Sequence, residues 1–105
     1  MKIRPNRSTN IIDVYAIYWV EKETLFLGLP RRHGGLIAYK AQDVELIDPD
    51  LSGDFTYFSN DCNGIYHSSL IKERLLDDLL ENDEKAYKRF LEILKAEGRV
   101  EPDFY

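Results

Sequence analysis

Apolar residues recur at two periods along this chain, and the change falls near Ser68. Up to Tyr66 they come in short β-branched and aromatic runs separated by turn residues, the pattern of strands. The run IIDVYAIYWV (11–20) is apolar on both alternating sets except at Asp13, which predicts a central strand covered on both faces. EKET (21–24) reads as a polar turn and LFL (25–27) as the returning hairpin partner. GLPRRHGG (28–35) is a loop in which Gly34 and Gly35 offer the positive φ of a tight turn. LIAY (36–39), VELI (44–47) and FTYF (55–58) are further strands, and IYH (65–67) follows the NDCNG turn as a last one. Short links between these runs predict a strongly twisted antiparallel meander.

Beyond Tyr66 the spacing becomes helical. Ser68 or Ser69 is placed to cap a helix carrying Ile71, Leu75, Leu76 and Leu79 on one side. Asn82 and Asp83 end it, and Asp83 caps a second helix whose Tyr87, Phe90, Leu91 and Leu94 form one buried stripe. Gly98 stands in the position that stops it, with Lys95 in the last turn. The final RVEPDFY (99–105) is too apolar to hang free, so Val100, Phe104 and Tyr105 are expected against the body or against a partner. Strands followed by helices predict an α+β fold: a twisted antiparallel sheet of about five strands, then two C-terminal helices packed on one face. No repeat or linker divides residues 1–105, which read as one domain.

Composition supports a folded core, with 105 residues, 44 % of them apolar and 31 % charged. No stretch reaches the roughly 18 apolar residues of a membrane span, and the basic, polar opening does not read as a secretory signal. The single Cys62 cannot form an internal disulfide, which points to a reducing, cytoplasmic setting. The net charge of −5 is unevenly spread. Residues 1–34 hold six Lys or Arg against three acids, whereas the remainder holds eight against sixteen. From Ala41 to Ile71 there is no Lys or Arg, but Asp43, Glu45, Asp48, Asp50, Asp54 and Asp61 all fall there. Such a field repels nucleic acid and attracts cationic surfaces.

Several chemical readings compete over these residues. Asp48, Asp50, Ser52 and Gly53 match the first, third, fifth and sixth places of a calcium loop, but its twelfth place holds Ser59 instead of a bidentate Glu and VELI is no helix. A Pro-Asp and Ser-Gly turn accounts for the same residues. Cys62 and His67 could pair as an activated thiolate, yet neighbouring Asp61 raises a thiol pKa instead of lowering it. The two His and one Cys do not make a zinc site, and neither a metal nor a cofactor is expected. Arg31, Arg32, His33 and the Gly pair could cradle an anion, or form a solvated loop. Among the tyrosines, Tyr57 and Tyr66 neighbour the acidic turns and are expected at the surface. No catalytic set is recognisable, so a non-enzyme is expected.

What remains is an acidic, base-free run, DVELIDPDLSGD (43–54), followed by FTY. With its size, acidity and strand-then-helix layout, the chain resembles a bacterial immunity protein of a polymorphic toxin system, of the kind encoded beside contact-dependent growth inhibition toxins. The resemblance implies a cytoplasmic, one-to-one complex with a cognate toxin domain, often a nuclease with a basic cleft. Asp43, Glu45, Asp48, Asp50, Asp54 and Asp61 would supply the field in such a complex, and Tyr57 and Tyr66 the packing. The alternative is a regulatory or scaffold domain that binds a peptide or small ligand through its sheet and C-terminal tail. A third is a small enzyme that uses Arg31, Arg32 and His33 on a phosphorylated substrate.

Overall fold

The structure is a computed structural model and describes residues 1–59 and 63–105. Among the described residues there are seven strands: β1 (Lys2–Pro5), β2 (Ile12–Val20), β3 (Glu23–Leu29), β4 (Ile37–Lys40), β5 (Val44–Asp48), β6 (Phe55–Ser59) and β7 (Asn63–His67). Three helices follow, α1 (Ser68–Lys72), α2 (Leu76–Leu80) and α3 (Glu84–Ala96). The architecture is α+β with an antiparallel sheet, as the change of period predicts, but with more strands than expected.

β2 organises the sheet. Along one edge it pairs with β3, which in turn pairs with β4. Its other edge is shared: Ile12 and Asp13 pair with β1, and Ala16 to Trp19 pair with β7. β1 carries β5 on its outer side, and β7 carries β6. The connectivity is therefore a meander only from β1 to β4. The last strands return to the far side of β2, because the short β1 occupies the place beside the start of that strand. Nothing in the polar opening sequence advertised β1, whose one fully buried side chain is Ile3.

The β2–β3 register slips between Val14 and Ala16, leaving Tyr15 as the extra residue of a bulge. A bulge turns two consecutive side chains to one face. Tyr15 and Ala16 both join the main core, whereas Val14 and Ile17 face the other side with Ile3, Ile12 and Phe26. Both faces are covered over residues 12–18, which accounts for the almost continuous apolar stretch there, whereas Ile11, Trp19 and Val20 at its ends are exposed. The main core lies between the sheet and the helices, where Leu70, Leu79, Phe90 and Leu94 are all 1 % exposed or less. Each such side chain contributes about 1.5–3 kcal/mol on burial.

One long first helix was expected, and two short ones are found. Arg74, with φ of 54°, breaks the helical path between α1 and α2. His67 caps α1 by accepting the Ser69 N–H on its ring, in place of Ser68 or Ser69. Asp83 does cap α3, accepting the Ala86 N–H at 2.9 Å. Gly98, at φ of 71°, closes α3 with Arg99 N–H on the Leu94 carbonyl and its own N–H on that of Lys95.

Candidate functional site

Strand directions bring the acidic run together. β5 and β6 are each two antiparallel steps from β2, through β1 and β7 respectively, so both run in the direction of β2. Residues 44–59 thus pass along the same side of the sheet as one outer edge, β5 beside the start of β2 and β6 beside its end. Among the described residues, β5 pairs with β1 alone and β6 with β7 alone. Their outward main-chain groups are left for solvent or for a partner.

Asp43 closes the 3-10 turn Ala41–Asp43 just before β5, Glu45 and Asp48 lie on β5, Asp50 is in the connecting loop, and Asp54 immediately precedes β6. All five are exposed except the half-buried Asp48. The loop is built by its own carboxylates. Asp48 Oδ1 accepts the Asp50 N–H at 3.0 Å, and Asp50 Oδ1 accepts the Ser52 N–H at 2.9 Å. This is the turn chemistry that competed with the calcium reading. Among the described residues no three His, Cys, Asp or Glu are grouped to hold a metal.

The base-free stretch is not base-free in space. Arg4 of β1 pairs with Glu45, and Arg99 donates from Nη2 to the Ser52 carbonyl at 3.0 Å. Gly53 makes room for that guanidinium: a Cβ there would overlap Arg99 Nη2, and φ of +117° also favours glycine. Both bases come from the far ends of the sequence, so the charge count along 41–71 could not reveal them.

Of the two tyrosines, Tyr57 is 63 % exposed on β6, in a cross-strand row with Ile65 and Ile17. Tyr66 does not reach the surface. It is 6 % exposed, stacked on Tyr18 in the main core, because Ala16 opposite it faces the helices. Asp61 and Cys62 lie outside the described residues. Sequence reasoning missed Leu46 and Ile47, which are 48 % and 38 % exposed on β5; their alternation with acids reads equally well as a buried strand.

The Arg31–Gly35 loop is engaged by the C-terminal segment. Arg31 pairs with Glu101 at 3.0 Å and lies over the Phe104 ring, and Arg32 lies over that of Tyr105. Arg32 and Gly34 carry the positive φ in this loop, whereas Gly35 packs closely against the Leu79 carbonyl. The tail docks on the body, and the two guanidiniums read as an anion cradle hold it there.

His67, Ser69 and Glu97 line up as a relay, with 2.8 Å from His67 Nδ1 to Ser69 Oγ and 2.8 Å from Nε2 to Glu97 Oε1. The ring is fully buried among Tyr15, Phe55 and Phe90, and Ser69 is 7 % exposed. The relay ties the start of α1 to the end of α3. Arg99 Nε adds a fourth member by donating to the same Glu97 oxygen at 2.8 Å, and so connects the core to the acidic loop.

Compared with known proteins, the chain matches no family model, no curated protein and no solved structure at a significant level. No helix of the described residues is long and apolar enough to cross a membrane.

Proposed function

We propose that the chain is an immunity-type binding protein that neutralises a cognate basic toxin domain, docking it along the outer edge 43–59. One observation carries the reading: β5, its loop and β6 run as a single edge, unpaired on its outer side among the described residues, that bears Asp43, Glu45, Asp48, Asp50 and Asp54. Exposed Leu46, Ile47 and Tyr57 sit among those acids. Carboxylates on a rigid edge attract a cationic partner over distance, and apolar anchors slow its release. Arg4 pairs with Glu45, so that carboxylate contributes less to the field than the others.

The test begins with the neighbouring gene. The reading predicts a long reading frame there that ends in a small basic domain, and that domain, purified, is the probe. It forms a one-to-one complex whose affinity falls as salt rises from about 50 to 300 mM. Replacing Asp48, Asp50 and Asp54 together by Asn weakens binding by about tenfold or more at low salt and flattens the salt dependence. Equal affinity of parent and triple variant at low salt would overturn the reading, as would a neighbouring gene with no such domain.

A further inference from the structure

Beside the main core, a cleft of about 720 Å³ lies between the sheet and the C-terminal segment. Leu29, Ile47, Val100 and Phe104 wall it. Lys2, Asp13, Asp48 and Arg99 line both this cleft and a smaller depression of about 180 Å³, which makes the two one groove. Lys2 is the register partner of Asp13 on β2 and of Asp48 on β5, so the three stand in a row across three strands.

These two cations and two carboxylates form no ion pair with one another, and among the described residues neither Lys2 nor Asp13 has any side-chain hydrogen bond or ion pair. Arg99 uses Nε on Glu97 and Nη2 on Ser52, which leaves Nη1 without a hydrogen-bond partner among the described residues. Asp13 is half-buried, and burial pushes its carboxyl above the ordinary carboxylate value despite nearby Lys2 and Arg99. A carboxylate in that position lacks a donor. The wall is already built, since Arg31 holds both Glu101 and the Phe104 ring.

We propose that this groove binds a zwitterion with an apolar side chain, of the amino-acid or dipeptide class. Its ammonium meets Asp13 and Asp48, its carboxylate faces Arg99 and Lys2, and its side chain lies on Leu29, Ile47, Val100 and Phe104. Neither charge alone suits the groove: a simple cation meets Lys2 and Arg99, and a simple anion meets both carboxylates. The volume falls within the roughly 300–1,000 Å³ of small-ligand sites. This site shares Ile47 and Asp48 with the proposed toxin edge but does not depend on that reading, and Asp13 and Phe104, the residues its test replaces, lie outside residues 43–59.

The experiment uses L-leucyl-L-leucine as the probe, read by calorimetry and by thermal unfolding. At ten times its Kd the dipeptide raises Tm by about 5 °C or more. Its N-acetylated form, which lacks the ammonium, and its C-terminal amide, which lacks the carboxylate, each bind at least about tenfold more weakly. Asp13→Asn abolishes the ligand-induced shift in a protein that still folds, and Phe104→Ala weakens it through the opposite wall. The proposal is overturned if the dipeptide gives neither heat nor a shift up to about 10 mM. It is equally overturned if the blocked forms match the dipeptide, or if Asp13→Asn binds as the parent does.

Discussion

Replacing Ile3 by Ala tests whether β1 is an integral strand. Ile3 is fully buried, packed in the second core cluster with Ile12, Val14 and Phe26. Truncation removes three buried carbons from a site whose neighbours are held in strands and so collapse little. The expected cost is about 3 kcal/mol, within the roughly 2–5 kcal/mol range for such changes. For a chain of this length that lowers Tm by about 10–20 °C. Ile3→Val, which removes one methyl group, costs about 1 kcal/mol and serves as the graded control. Thermal and urea unfolding by circular dichroism give the loss. Hydrogen exchange adds a local signature, because β5 pairs with β1 alone and its amides should exchange faster in the variant. A loss below about 0.5 kcal/mol for Ile3→Ala would refute the reasoning, since no buried isoleucine in a paired strand is that dispensable.

Gly53→Ala should cost about 1–3 kcal/mol in urea unfolding, because its Cβ would occupy the place of Arg99 Nη2; an unchanged midpoint would contradict so close an approach of the two residues. Asp13→Asn should raise stability at pH 7. Burial raises the folded-state pKa of Asp13, so its contribution is whole below the ordinary carboxylate value and is lost as pH rises through the raised one. The gain from the variant should therefore vanish toward about pH 3, and a gain that persists there would show that charge is not its source. Tyr87→Phe removes a buried hydroxyl with no hydrogen-bond partner among the described residues, so stability should hold or rise by up to about 1 kcal/mol; a clear loss would reveal a partner for that oxygen.

The central strand, the helix stripe and both helix-stop signals were legible because each reflects local chemistry. The apolar run 11–20, the spacing of Tyr87, Phe90, Leu91 and Leu94, the Asp83 cap and Gly98 all act within a few residues of themselves. β1 was not legible, since four residues with one buried isoleucine show no period. The split between α1 and α2 turns on the backbone of Arg74, a residue that favours helix but here takes the positive φ of a helix stop, with its N–H on the Ile71 carbonyl and the Leu75 N–H on that of Leu70. The acidic edge was half legible. Its carboxylates share a side because β5 and β6 run the same way, but Arg4 and Arg99 reach it from distant parts of the chain. Tyr66 was misread because its side depends on the register with Ala16, which no single strand reveals.

Hydrogen exchange of the chain, free and bound to the basic domain of the neighbouring reading frame, tests the binding proposal most directly. The account predicts added protection confined to residues 43–59, with β4 at the opposite edge and the exposed face of α3 unchanged. Protection centred on β4 or on α3, with 43–59 exchanging as in the free protein, would contradict it.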